Sequence, residues 1–309
     1  MVSAPAVSLL GLGRMGEPIA RRLLASLGEL TVWNRSIGKA DALVEAGALL
    51  APTPAEAAAT VTLTVLTDLD DVEQLLGGPD GLLAGWQAHG VEHPVLVVHG
   101  TVSPVGIAAL GARLADHGVE VVDAPLSGGV AGAESGALSV MVGGAPDAVA
   151  RAWPVLDAVG STVIHLGALG TGETAKACNQ VVVAATVTAL SEALVLADAS
   201  GIDRGALLRL FEGGLGSSEV LRQKKERWLS SDFAGGGSSS NQLKDLLFVT
   251  ETARSHGLVL PVAVTLTDVF ERAVRDGDGE LDHSAIELSI ARLAASGTGD
   301  EPTSPPALD

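Results

Sequence analysis

The stretch Ala6-Val7-Ser8-Leu9-Leu10-Gly11-Leu12-Gly13-Arg14-Met15-Gly16, followed by Glu17-Pro18-Ile19-Ala20-Arg21-Arg22-Leu23-Leu24, decides the fold. A short apolar run enters a turn with glycine at its first, third and sixth positions, and apolar residues then recur at helical spacing. In such a turn the first glycine allows the tight bend and the second lets backbone approach a pyrophosphate. The third packs helix on strand, and the helix N-terminus faces the anion. Glycine-rich turns also serve as ordinary strand-to-helix loops, but the strand before and the helix after favour a dinucleotide cradle. Gly11, Leu12, Gly13, Arg14, Met15 and Gly16 are its candidate residues.

Outward from this turn, strand-like runs recur at 30–33, 60–66, 95–98, 119–122, 139–142 and 162–165. Alanine-rich segments of helical length separate many of them, as at 16–27, 104–117 and 146–158, so βαβ units around a mostly parallel sheet are expected. After about residue 170 the strand signals stop, and helical patterns follow at 174–200, 204–211, 243–256, 261–275 and 283–293. The fold class is α/β. The domains expected are 1–168, binding the dinucleotide, and an all-helical 169–295 for substrate and oligomerisation; 296–309, rich in proline, glycine and acids, reads as a disordered tail.

With 309 residues, 47% of them hydrophobic and 18% charged, the chain has ample material for a globular core. Its 37 acidic and 19 basic residues give a net charge of −18, a field that repels nucleic-acid phosphates and anionic membrane surfaces. Cys178 is the only cysteine, so no intrachain disulfide forms, and no secretory signal is readable at the start. A cytoplasmic protein is expected. The longest uncharged apolar stretch, 177–191, includes Asn179 and Gln180 and stops at Glu192, short of the roughly 20 residues of a membrane span. It reads as a buried helix of a soluble protein. Histidines such as His99 and His165 stand singly, as satisfied core or surface residues, and Asp276-Gly277-Asp278-Gly279 lacks the ligand spacing of a calcium loop, so no metal site is assigned.

At the end of the second strand, Val32-Trp33-Asn34-Arg35-Ser36 lacks the acid that would meet an NAD ribose 2′-hydroxyl. Asn34 stands near that place, and Arg35 with Ser36 offers a cationic fork and a hydroxyl suited to a 2′-phosphate, so NADP(H) is preferred over NAD(H). Further on, Lys176, Asn179 and Gln180 share one helical face among small and aliphatic neighbours. Cys178 lies on another azimuth and reads as a packed thiol. In Asp123-Ala124-Pro125-Leu126-Ser127-Gly128-Gly129, the Ser-Gly-Gly run could aim amide N–H groups at a carboxylate or be a flexible turn.

Taken in order, these motifs resemble the β-hydroxyacid dehydrogenase family, the group of 3-hydroxyisobutyrate dehydrogenase and tartronate semialdehyde reductase. The collinear features are Gly11, Gly13 and Gly16, the run 123–129, Gly170-x-Gly172-x-x-x-Lys176-x-x-Asn179, Lys244-Asp245-Leu246 and Asp282-x-Ser284-Ala285. The resemblance implies a Rossmann domain joined by a long helix to a helical domain, with the active site in the cleft between them. It implies Lys176 as the catalytic acid/base, with Ser127, Gly128 and Gly129 on the substrate carboxylate. Asn179 and Gln180 would assist at the substrate, Lys244 would lie over cofactor and substrate, and Leu66, Thr67 and Thr101 would line the cofactor. The chemistry is consistent, because an ammonium group in a desolvated cleft stabilises a developing alkoxide.

The chain departs from the family pattern at Gly100, where many relatives carry serine, at Ala137, and in the Gly/Ser run 235–240. The function expected is NADP(H)-dependent interconversion of a short 3-hydroxy acid and its semialdehyde. An imine reductase is the nearest rival, though that group usually carries another residue at the position of Lys176; a non-catalytic NADP-binding module would lose the lysine. The partner implied is a small carboxylate-bearing substrate. A homodimer or homotetramer is expected, because helix 174–200 is too apolar for a small domain to cover.

Overall fold

The computed structural model describes residues 6–296. The first part runs β1 (Val7–Leu10), α1 (Gly16–Leu27), β2 (Thr31–Trp33), a 3-10 turn (Ile37–Ala40), α2 (Asp41–Glu45), β3 (Leu49–Leu50), β4 (Val61–Thr64), α3 (Leu69–Gln74) and α4 (Leu82–Ala88). It continues through β5 (Val95–Val98), α5 (Pro104–Ala115), β6 (Glu120–Asp123), β7 (Leu126–Ser127), α6 (Gly129–Ser135), β8 (Leu138–Gly143), α7 (Pro146–Val159) and β9 (Gly160–Gly167). Strands β1, β4 and β5 are buried on both faces; β5 is accordingly a continuous apolar run, while the buried hydroxyls of Ser8, Thr62 and Thr64 in β1 and β4 are satisfied by hydrogen bonds within the sheet.

The sheet order is β3-β2-β1-β4-β5-β6-β8-β7, with β9 beside β8. The first six strands pair in parallel, with Leu9 opposite Val32 on one side and Leu63 on the other. Strand order reverses between β1 and β4, so the carboxyl ends of these two strands mark a topological switch point, the place where open α/β sheets bind ligands. Beyond β6 the sheet changes hand: β8 runs antiparallel to β6 and β7, and β9 runs parallel to β8. One face buries Leu9, Ile19, Leu23 and Leu156 with α1 and α7; the other buries Leu10, Trp86, Ile107 and Leu110 with α4 and α5.

The second part is helical: α8 (Thr171–Ala199), α9 (Arg204–Glu212), α10 (Glu219–Ser230), α11 (Ser239–Ser255), α12 (Pro261–Ala273) and α13 (Ile286–Ser296). Ala184, Val187 and Leu194 of α8 meet Leu208, Leu221, Trp228, Leu246, Leu266, Phe270 and Ile286 in one core. Trp228 donates its indole N–H to the Ser284 carbonyl, which satisfies the one polar group of a fully buried side chain.

The fold class expected from sequence is the one found. The chain divides into compact units Met1–Ala177 and Cys178–Asp309, so the division falls inside α8 rather than before it. The helix α10 escapes the sequence reading because only Leu221 and Trp228 of its twelve residues are buried, too thin an apolar stripe to show a period. Ser296 closes α13; the rest of the expected tail, 297–309, and residues 1–5 lie outside the described residues. By length and composition alone α8 could cross a membrane, which the uncharged stretch did not suggest. Its buried stripe of Ala184, Val187, Leu190 and Leu194 belongs to the helical core.

Candidate functional site

At the switch point, each glycine of the first turn answers a different constraint. Gly11 has φ +103°, and a Cβ there would stand 2.5 Å from the Val65 carbonyl oxygen; a Cβ on Gly16 would collide with the Gly11 carbonyl. Gly13 faces neither constraint, since its φ is ordinary and no protein atom lies within 4 Å of where a Cβ would be. The space beside it is open. The first turn of α1 has no side-chain cap, with Met15 at the N-cap position and Arg14 exposed before it. A pyrophosphate fits an open glycine turn followed by uncapped helix N–H groups.

Asn34 braces this turn from β2. Its Oδ1 accepts from the Leu12 N–H at 2.8 Å, and its Nδ2 donates to the Ser36 carbonyl at 2.9 Å. Arg35 and Ser36 are exposed, and an Arg35 Nη2 lies 3.2 Å from Asp71 Oδ1. Leu66, at the end of β4, packs its carbonyl against Gly100, where a Cβ would collide with it. Thr67 is exposed and Thr101 half-buried on these two neighbouring loops.

Lys176 is held differently. Asp123, fully buried at the end of β6, accepts from the Gly170 N–H at 2.9 Å and the Glu173 N–H at 2.7 Å, and so caps the start of α8. Burial pushes its carboxyl pKa up, against the opposing pull of these backbone bonds. A Cβ on Gly172 would stand 2.9 Å from the Asp123 Oδ2, and one on Gly143 would strike the Oδ1. Gly172 of the Gly170-x-Gly172 signature makes room for that carboxylate, whereas Gly170 answers to its own φ of +93°. Glu173, almost wholly buried, accepts from the Val102 N–H at 3.2 Å, which ties the loop after β5 to the same helix turn. One turn on, the buried Lys176 Nζ donates to the Leu126 carbonyl at 2.7 Å. That carbonyl belongs to β7, which two residues separate from Asp123 at the end of β6, and the chain then passes from Ser127 into Gly128 (φ +133°) and Gly129 (φ +66°). Two successive residues in that region explain the pair of glycines.

In the helical unit, Gln180 donates through Nε2 to Asp245 Oδ2, and Asn179 donates to Gln180 Oε1 at 3.2 Å. Lys244 Nζ lies 3.7 Å from Asp245 Oδ1 and 5.4 Å from the centre of the Phe248 ring. Asp245 thus orients both an α8 amide and the α11 lysine. Cys178 is exposed, against the expectation of a packed thiol, because its azimuth on α8 turns away from the core.

Four residues here carry more than the sequence suggests: Asp123, Glu173, Asp245 and His99. His99 Nδ1 lies 2.7 Å from the Ala124 carbonyl and must carry the proton, while Nε2 is buried with no protein partner among the described residues. Burial lowers its pKa to about 4, with the Ala124 bond opposing. The signal available in sequence was only a histidine at the end of a parallel strand, where sites in open α/β sheets lie.

Comparison with known proteins supports pyridine-nucleotide binding. The sequence family described as the NAD binding domain of 6-phosphogluconate dehydrogenase matches residues 6–167, and that described as the NAD-binding of NADP-dependent 3-hydroxyisobutyrate dehydrogenase matches 170–288. The chain is 31% identical over 291 residues to 2-hydroxy-3-oxopropionate reductase of Escherichia coli, covering 93% of this chain and 98% of that one. It is similar in structure to 3-hydroxyisobutyrate dehydrogenase of Mycobacterium tuberculosis, with TM-score 0.78 and 26% identity over 93% of this chain and 99% of the other. An imine reductase from Myxococcus stipitatus shares the fold, with TM-score 0.62 and 20% identity over 93% of this chain and all of the other. Matched along nearly its whole length by two family patterns and by a relative 31% identical to it, the chain belongs to the β-hydroxyacid dehydrogenase family of NAD(P)-dependent oxidoreductases.

Proposed function

We propose that the chain interconverts a short 3-hydroxy acid and its semialdehyde, with NADP(H) preferred and Lys176 as general acid and base. The observation that carries this reading is the anchorage of Lys176: a buried ammonium on a capped helix, aimed by its bond to the Leu126 carbonyl along the Ser127-Gly128-Gly129 loop. When bound, the nicotinamide supplies or takes the hydride. Lys176 gives a proton to the carbonyl oxygen in reduction and withdraws one from the hydroxyl in oxidation. The backbone of Gly128 and Gly129 receives the substrate carboxylate, and Asn179 and Lys244, oriented through Gln180 and Asp245, assist at substrate and cofactor. Arg35 meets the 2′-phosphate of NADP(H), since the end of β2 offers a guanidinium and no acid.

The test is NADPH oxidation with short semialdehyde acids and, in parallel, cyclic imines, using wild type and Lys176→Ala. Semialdehyde acids are expected to turn over, and the variant to lose about 10²–10⁴-fold in kcat with little change in cofactor affinity. Turnover of imines alone, or a variant as fast as wild type, would overturn the assignment.

A further inference from the structure

Arg35 is not alone at the end of β2. Asp71 reaches it from the first turn of α3, with Oδ1 at 3.2 Å from the guanidinium Nη2. The backbone of Asp71 is fixed in turn, because Asp68 caps α3 by accepting from the Asp71 N–H at 3.0 Å. Beside the pair lies a pocket of about 260 Å³, reached by Trp33 and Leu75 as well. Of the described residues that line it, Arg35 is the one cation, set against the carboxylates of Asp71 and Asp80.

We propose that Asp71 sets how strongly the chain discriminates between NADP(H) and NAD(H), by occupying Arg35 and opposing a phosphate beside it. The inference rests on the reading of Arg35 as the 2′-phosphate contact. A 2′-phosphate brings nearly two negative charges to a guanidinium that already holds a carboxylate, and so must share or displace it. A ribose 2′-hydroxyl brings no charge and is not repelled. The acid missing from β2 is thus supplied from another element, in a place where it moderates phosphate binding instead of forbidding it. Arg35 is 76% exposed, so the pair contributes little to folding and its electrostatic effect is felt by a bound ligand.

Dissociation constants for NADPH and NADH, from nicotinamide fluorescence titration at low salt, test this on wild type, Asp71→Asn, Arg35→Ala and the double variant. Asp71→Asn is expected to tighten NADPH by roughly three- to tenfold, the scale of one charge acting on a nearby dianion through water, while NADH moves less than about twofold. The gain shrinks in the Arg35→Ala background and at 1 M salt, where screening acts within about 3 Å. If Arg35→Ala leaves the ratio of the two constants unchanged, the 2′-phosphate reading of Arg35 falls. If Arg35→Ala lowers NADPH preference but Asp71→Asn does not raise it, the role of Asp71 alone falls, and the pair is a surface contact.

Discussion

A side chain at position 100 would drive its Cβ into the Leu66 carbonyl, so the missing serine hydroxyl follows from how closely the loops after β4 and β5 approach. The departure at Gly100 is therefore a packing feature of this chain. Its neighbour His99 is the more consequential residue. Reading it as a satisfied core histidine captured Nδ1, which is bonded to Ala124, but not Nε2, which is buried without a protein partner among the described residues. An unfolded histidine titrates near 6.5, whereas burial holds this one near 4. Below pH 6.5 the unfolded chain therefore takes up a proton that the folded chain refuses until about pH 4. The stability at stake is fully present above pH 6.5 and is lost as pH falls through that window, to a total of about 3 kcal/mol. In urea titrations at pH 7 and pH 5, wild type is expected to lose about 2 kcal/mol more than His99→Gln between the two. Equal losses would mean that His99 is not held neutral by burial.

At the scale of elements, the long helix α8 shows what sequence reading reaches and where it stops. The pattern Gly170-x-Gly172-x-x-x-Lys176 is legible as a family signature, and its helical spacing groups Lys176 with Asn179 and Gln180. Its physical cause is not legible, because the carboxylate that needs Gly172 belongs to Asp123, far away in sequence at the end of β6, and the need for Gly170 lies in a φ of +93°. The same limit applies to Gln180 and Lys244, whose common partner Asp245 lies on α11. Capping by Asp123 fixes the helix turn from which Lys176 returns to the Leu126 carbonyl, so one stretch of chain supports both ends of the arrangement. Asp123→Ala would leave two buried helix N–H groups without an acceptor and is expected to cost about 2–3 kcal/mol, seen as a lower Tm. Asp123→Asn keeps one acceptor and should lose less stability while still lowering kcat, since an amide cannot receive both N–H groups in the same way. A normal Tm and kcat for both variants would show that the cap positions nothing.

For the whole molecule, alternation of strands and helices was enough to read an α/β sheet followed by helices, because that pattern is carried by many residues at once. Elements of two to seven residues such as β3, β7 and α6 carry too few apolar positions to register a period. What the chain leaves uncovered also bears on assembly. On α8, Val182 and Leu196 are 65% and 69% exposed, and Leu258, Val259, Val262 and Val264 are exposed around the start of α12. Single exposed aliphatics are ordinary, but several along the elements of one helical unit point to a covered surface in the working protein. Opposing this is the net charge of −18 on every protomer, which disfavours association most strongly at low ionic strength. Light scattering after size exclusion should therefore give a dimer or tetramer of the 31.1 kDa chain, with dissociation on dilution more evident at low salt than at 0.15 M. Replacing Val182 and Leu196 together by glutamate should shift the mass toward the monomer while leaving the far-UV CD spectrum intact. A wild-type protein that stays monomeric at all salt concentrations would mean that these side chains are simply solvated, and that α8 needs no second chain.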